Sequence, residues 1–241
     1  LVAQAALEIE GLTAGYAGMT VVWDVSLVVG AQETVLLLGA NGAGKSTVLK
    51  AVAGLLPARG AIRLFGEPIE RLSTAKRARR GLAFMSEQGI FPTLSVRENL
   101  LLGAALAKGG RFEERLEEML TLFPDLKGRL SEEAGSLSGG QRKMVGVAKC
   151  LISDPRVLVM DEPSAGLSPK FVSEVVDILG TLRERGLSVL VAEQNVEFLK
   201  VASSVVVLEG GYVRYQGSTQ ALEDDAALHE AFFGLEGLQG V

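Results

Sequence analysis

A single cysteine, Cys150, leaves the chain with no partner for an internal disulfide. That fits a reducing compartment, and Cys150 is expected to be a small packed residue, not a reactive thiol. No run of about 18 or more apolar residues occurs, so no bilayer-spanning helix is expected. Positive charge is not in excess: 24 Lys and Arg stand against 29 Asp and Glu, a net charge of −5. Bulk attraction to nucleic acid therefore has no support. The start, Leu1 to Leu7, is apolar but lacks a basic n-region and a cleavage site, so it does not read as a signal peptide. Opening on Leu1 and not on Met is what a trimmed or tagged chain would show. No internal repeat or low-complexity tract is visible.

What the chain has is apolar mass. Of its 241 residues, 48% are hydrophobic, enough for a large core without disulfides or metal. The length suits one α/β domain carrying an insertion. A mean hydropathy of +0.29 fits a large core or a surface that docks on other subunits.

Strand-like runs recur. Ala6 to Ile9 and Val21 to Val29 read as antiparallel strands, and Glu33 to Leu38 as a strand buried on both faces. Further candidates are Ala61 to Phe65, Gly81 to Met85, Val157 to Met160, Ser188 to Ala192 and Ser204 to Leu208. The last runs through Glu209-Gly210-Gly211 into Tyr212 to Gln216, a hairpin signal. Helical spacing relates Phe112, Leu116, Met119, Leu120 and Phe123, and again Phe171, Val175, Ile178, Leu179 and Leu182. Pro169 is expected in the first turn of the second helix and Gly186 at its end. Strands alternating with helices predict a mostly parallel sheet with helices on both faces. The stretch 87–152 is mostly helical and reads as a subdomain inserted into an α/β core formed by 1–86 and 153–241. The basic run Lys76, Arg77, Arg79, Arg80 reads as a solvated helix face.

Gly39-Ala40-Asn41-Gly42-Ala43-Gly44-Lys45-Ser46-Thr47 follows an apolar strand directly and matches the phosphate-binding pattern G-x-x-x-x-G-K-[ST]. Its glycines let backbone N–H groups turn toward phosphate oxygens, and the following helix presents its positive end. Lys45 supplies a point charge for the β- and γ-phosphates, and Ser46 a hydroxyl for Mg²⁺. Val157 to Met160 ends in Asp161 and Glu162. Asp161 is expected in the Mg²⁺ shell and Glu162 beside the attacking water.

Leu137-Ser138-Gly139-Gly140-Gln141 opens an amphipathic helix that continues through Met144, Val147, Ala148 and Leu151. Ser138 is a candidate N-cap, and the glycine pair exposes N–H groups. This segment resembles the signature of ABC ATPases and separates the chain from other P-loop NTPases. The resemblance extends over essentially the whole chain. It implies a P-loop NTPase core with a mostly parallel sheet, an N-terminal antiparallel β subdomain and an inserted helical subdomain. It also implies ATP and Mg²⁺ as cofactors. Ser138, Gly139, Gly140 and Gln141 would then meet the ATP held by a facing subunit, in a homo- or heterodimer with a second ABC ATPase. Tyr16 matches the aromatic that stacks on adenine in this family. Phe91 to Leu100 resembles the segment that contacts the membrane subunit.

Three positions depart from the family pattern. Ser168 stands where Asp is usual after Ser164-Ala165-Gly166-Leu167, and Gln194 stands where His is usual. The only histidine, His229, lies near the C-terminus. The Q-loop is one residue short, which leaves Glu87 and Gln88 as rival metal-contacting residues, with Gln88 preferred.

Glu193-Gln194-Asn195 and the ending Ala231-Phe232-Phe233-Gly234 resemble the branched-chain amino-acid (Liv-type) importer ATPases, with urea or short-amide importers as near alternatives. The resemblance implies permease partners, indirectly a periplasmic binding protein, and a peripheral place on the cytoplasmic face of the inner (plasma) membrane. A non-transport ABC ATPase of repair or translation is the rival. Only about ninety residues without sustained heptads separate the phosphate loop from the signature, and one cassette is present; both features argue against it.

Overall fold

The computed structural model describes residues 5–87, 89–105 and 110–224. The chain begins with two long strands, β1 (Ala5–Tyr16) and β2 (Met19–Gly30), then β3 (Thr34–Leu38) and α1 (Lys45–Ala53). Next come β4 (Ala58–Leu64), a two-residue β5 (Glu67–Pro68), α2 (Thr74–Arg79) and β6 (Leu82–Met85). Helices α3 (Val96–Ala104), α4 (Phe112–Leu122) and α5 (Gly139–Leu151) follow, and then β7 (Val157–Asp161), α6 (Pro169–Glu184) and β8 (Ser188–Ala192). A hairpin of β9 (Ser204–Glu209) and β10 (Tyr212–Ser218) leads to α7 (Thr219–Asp224).

Two sheets result. One is antiparallel, in the order β2-β1-β4-β5. The other runs β10-β9-β3-β8-β7-β6 and is parallel except for β10. This is the P-loop NTPase architecture expected from the sequence. β1 runs well past the expected Ile9. Its register with β2 shifts between Ile9 and Leu12, and such a bulge breaks the period-two alternation that marks a strand in sequence. Leu12 and Ala14 then continue its buried face. β5 was not expected, being two residues long and half proline.

The parallel strands separate two cores. Leu36, Leu38, Leu158, Met160, Val189 and Val191 face one, toward α3 to α6. Val35, Leu37, Val157, Val159, Leu190 and Ala192 face the other, where α1 lies between the two sheets. Successive residues thus alternate between apolar surroundings, which is why these strands read as unbroken apolar runs. Pro169 occupies the first turn of α6, and Gly186, at φ 107°, follows its C-cap. Cys150 is buried, and burial pushes its thiol up to about 11; it is packed, not reactive.

The segment ahead of α3 is pinned by a fully buried amide. Asn99 accepts from the Phe91 N–H at 2.8 Å and donates to the carbonyls of Phe91, Leu94 and Ser95. Ser95 and Glu98 form a capping box at the start of α3.

The basic run corrects the sequence reading. Lys76, Arg79 and Arg80 are exposed, but Arg77 is only 3% exposed. Its guanidinium donates to the carbonyls of Ala51 and Val52 at 2.8 and 2.6 Å, and to those of Leu72 and Glu70 at 3.1 and 2.9 Å. It therefore neutralises the negative end of α1, where the last carbonyls lack intrahelical partners. Burial holds its pKa below the ordinary arginine value, with Glu70 opposing. Four positive residues within five positions carry no sign of which one turns inward. Arg77→Ala should lower the unfolding free energy by roughly 2–4 kcal/mol, read from urea denaturation, because buried carbonyls lose a charged donor. Arg77→Lys should recover only part of that loss, since an ammonium cannot span the same fork of acceptors.

Candidate active site

Three neighbouring parallel strands end at one level. Leu37 of β3 pairs with Ala192 of β8, and Ala192 pairs with Asp161 of β7. The segments leaving those ends therefore meet in space: Gly39 to Thr47, Asp161 to Glu162, and Glu193 to Asn195. Side chains 115 and 153 positions apart in sequence join here by hydrogen bonds. The carboxyl edge of a parallel sheet is where such folds bind ligands.

The loop after β3 closes tightly before α1. Gly44 has φ 106°, and a Cβ there would stand 2.4 Å from Val22 Cγ1, so both conformation and space require glycine. Lys45 is 4% exposed, and its ammonium donates to the carbonyls of Gly39 at 2.7 Å and Ala40 at 3.4 Å. Glu162 Oε1 lies 3.5 Å away. The cation is thus aimed into the curve formed by Gly39, Ala40, Asn41, Gly42 and Ala43, ready for an anionic group.

Ser46 Oγ donates to Asp161 Oδ1 at 2.8 Å. Burial raises the Asp161 pKa; the Ser46 bond and Lys50 oppose the shift, while Glu162 and Glu87 add to it. A hydroxyl and a carboxylate in contact are hard oxygen donors, and the carboxylate is partly withdrawn from water. Both features fit Mg²⁺, which takes few protein ligands and completes its shell with water and phosphate oxygens.

Glu162 sits at φ 46°, uncommon for a residue with a side chain. Its N–H donates to the Ala192 carbonyl at 3.0 Å, and its carbonyl accepts from Lys143 Nζ at 2.9 Å. Lys143, on α5, also donates to the Glu87 carbonyl at 2.8 Å. Burial lowers its pKa, while Glu87, Glu193, Glu162 and Asp161 oppose that shift. Sequence reading missed Lys143, because a basic residue beside Arg142 looks like a solvated face. Gln194 Nε2 donates to Asn41 Oδ1 at 2.6 Å. Asn41, Glu162, Ser164 and Gln194 border a cleft of about 480 Å³.

The signature segment stands apart from this cluster. Ser138 N-caps α5 and forms a capping box with Gln141. Gly140 packs against the Phe171 ring, where a Cβ would come within 2.5 Å. Ser138 and Gly139 are exposed, so this helix start faces solvent, where another molecule could present an anion to its positive end. Tyr16 closes β1 with its ring 41% exposed, 5.9 Å from Lys50 Nζ of α1. Ser168 takes the N-cap position of α6 without a side-chain bond. Gln88, His229 and the ending 231–234 lie outside the described residues.

Comparison with known proteins agrees with this geometry. The ABC transporter family model matches residues 22–165. The high-affinity branched-chain amino acid transport ATP-binding protein BraG of Pseudomonas aeruginosa is 35% identical over 95% of this chain and 99% of its own. The lipopolysaccharide export system ATP-binding protein LptB of Haemophilus influenzae is also 35% identical, over 95% of this chain and 97% of its own. Among solved structures, an ATP-binding subunit of an ABC transporter superposes with a TM-score of 0.83 at 27% identity, covering 95% of this chain and 98% of that one.

Two substitutions test the cluster. Lys45→Ala should weaken MgATP binding by at least roughly thirtyfold in calorimetry, as expected for deleting a desolvated cation from a charged contact. Near-parental affinity would remove the loop from the site. Gln194→Ala should lower kcat by roughly tenfold to a thousandfold, the usual cost of losing one preorganised donor. Steady-state phosphate release measures it, and an unchanged kcat would exclude Gln194 from the reaction.

Proposed function

The chain belongs to the ABC transporter ATPase family, and from that premise we propose that it powers uptake of branched-chain or related amino acids through separate permease subunits. Hydrolysis of ATP is the family's reaction. The convergence of Lys45, Ser46, Asp161, Glu162 and Gln194 at the ends of β3, β7 and β8 supports assigning that reaction to these side chains.

In this reading the backbone of Gly39 to Gly44 and the start of α1, including Thr47, cradle the phosphates, and Lys45 offsets charge on the β- and γ-groups. Mg²⁺, held by Ser46 and Asp161, would screen the same charge. Glu162 accepts a hydrogen bond from the attacking water, and its strained backbone aims the carboxylate at one place. Gln194 donates its amide N–H to the γ-phosphate and accepts from the water through its carbonyl. It cannot become cationic, so it contributes position but no charge. Phosphoryl transfer rests on positioning and electrostatics, so hydrolysis is expected to be slow but real.

ATPases of this family work as dimers with membrane permeases. The exposed start of α5 suits the ATP of a facing subunit, with Tyr16 on the adenine. Residues 87–152 form the helical subdomain in this reading, and Phe91 to Leu100, pinned by Asn99, meets the permease. The permeases supply the membrane spans. Among the described residues no helix is long and apolar enough to cross a membrane.

The substrate assignment rests on Glu193-Gln194-Asn195 and on the likeness to BraG. The equal likeness to LptB supports a second reading, lipid export. Disrupting the gene should reduce uptake of labelled leucine, isoleucine and valine. Unchanged uptake with lipopolysaccharide retained in the inner membrane would favour export instead. Glu162→Gln should stop hydrolysis yet preserve the phosphate contacts, so light scattering at saturating MgATP should show a dimer, alone or with a partner ATPase. Monomer alone under both conditions would argue against the signature acting across subunits.

A further inference from the structure

A second carboxylate lies behind the reacting groups, and sequence reading gave it no task. Glu193 is 2% exposed. Its Oε1 accepts from the Ser164 N–H at 2.6 Å, and its Oε2 accepts from the N–H groups of Gln194 at 3.0 Å and Asn195 at 3.3 Å. Its own N–H donates to the Leu37 carbonyl at 3.2 Å, so its backbone is tied to the strand that leads into the phosphate loop. Ser164 stands two residues after Glu162, in a turn closed by the Ala165 N–H on the Glu162 carbonyl at 3.2 Å. One oxygen of Glu193 therefore holds the turn after Glu162, and the other holds the turn that carries Gln194.

We infer that Glu193 is a positioning residue that sets the separation of Glu162 and Gln194 across the cleft. This rests on reading Gln194 as the group that holds the water. The chemistry of the contact calls for a carboxylate. Three N–H donors converge on two oxygens, and only an acceptor on both arms satisfies all of them. A glutamine fills the same volume but turns an NH2 toward an N–H on one side. One of the two turns is then released, and a buried donor is left unpaired. Gln194 is also held from the far side by Asn41. Glu193 thus holds the main chain of Gln194 while Asn41 of the phosphate loop holds its side-chain amide, and loosening the main chain should degrade the aim of that amide without touching the nucleotide's phosphates.

The test compares kcat, ATP affinity and melting temperature for the parent, Glu193→Gln, Gln194→Ala and the double variant. Glu193→Gln should lower kcat by about fivefold to a hundredfold, the range for one lost buried hydrogen bond, with ATP affinity within about twofold. The double variant should lose less than the product of the two single losses, because part of the Glu193 effect runs through Gln194. Parental kcat in Glu193→Gln overturns the inference, and so do losses that multiply in the double variant. Parental kcat in Gln194→Ala overturns the reading beneath it as well. Should Glu193→Gln not fold, Glu193→Asp replaces it. The shorter arm keeps both acceptors but cannot span both turns, so parental kcat there counts equally against the inference.

Discussion

Parallel pairing of β3 with β8, and of β8 with β7, is the constraint on which the rest of this molecule depends. Parallel strands point their carboxyl ends the same way, and the register sets Leu37, Ala192 and Asp161 side by side. Every polar group of the site leaves one of those ends or packs against them. The strands can lie so deep because their residues alternate between two apolar cores, one under α3 to α6 and one around α1. Burial on both faces leaves these strands close-packed, so a slip of one residue would disturb the packing of both cores. A rigid sheet edge of this kind holds reacting groups better than loops tied only to one another.

Around that edge the fold draws charged side chains inward, and several of them are met by main-chain groups. Arg77 meets four carbonyls at the negative end of α1. Lys45 meets two carbonyls at the other end of the same helix and faces Glu162. Lys143 meets the carbonyls of Glu87 and Glu162, and Glu193 meets three N–H groups. Asp161 differs: burial raises its pKa, and among the described residues it accepts from the Ser46 hydroxyl. A site that leaves one carboxylate short of positive charge is suited to a cation. Arg77 of α2 thus stabilises the C-terminal end of the helix that carries Lys45, which links the stability of α2 to the geometry of the phosphate loop.

In the proposed reading Gln194 takes the place of the histidine usual in the family, and this moves the demands on the site. A histidine can offer charge as well as position, and a glutamine offers position only. Its aim must then come from its surroundings, which here are Asn41 on its side-chain amide and Glu193 on its main-chain N–H. Lys143 adds a tether from α5 to the carbonyl of Glu162, so the signature helix and the strand end that carries Glu162 are mechanically joined. A contact at the exposed start of α5 has a short route to that strand end.

Much of this molecule was legible before any coordinate. Unbroken apolar runs marked the strands of the parallel sheet, because burial on both faces leaves no polar position in the period. The glycines and lysine of residues 39–47 and the acidic pair 161–162 declared phosphate chemistry, because that chemistry needs those atoms close together along the chain. Other features could not be read that way. The bulge beyond Ile9 hid the second half of β1. Arg77 looked like its exposed neighbours, Lys143 like a solvated lysine, and Glu193 like one letter of a family triplet. Each owes its role to groups far away in sequence: the carbonyls that end α1, the backbone of Glu162, the N–H of Ser164. Local pattern determined which residues are candidates for touching phosphate, since those contacts would be made by consecutive atoms. Only the packed sheet and helices decided which charges would be buried to hold them in place, since a side chain's burial depends on what the rest of the chain lays over it.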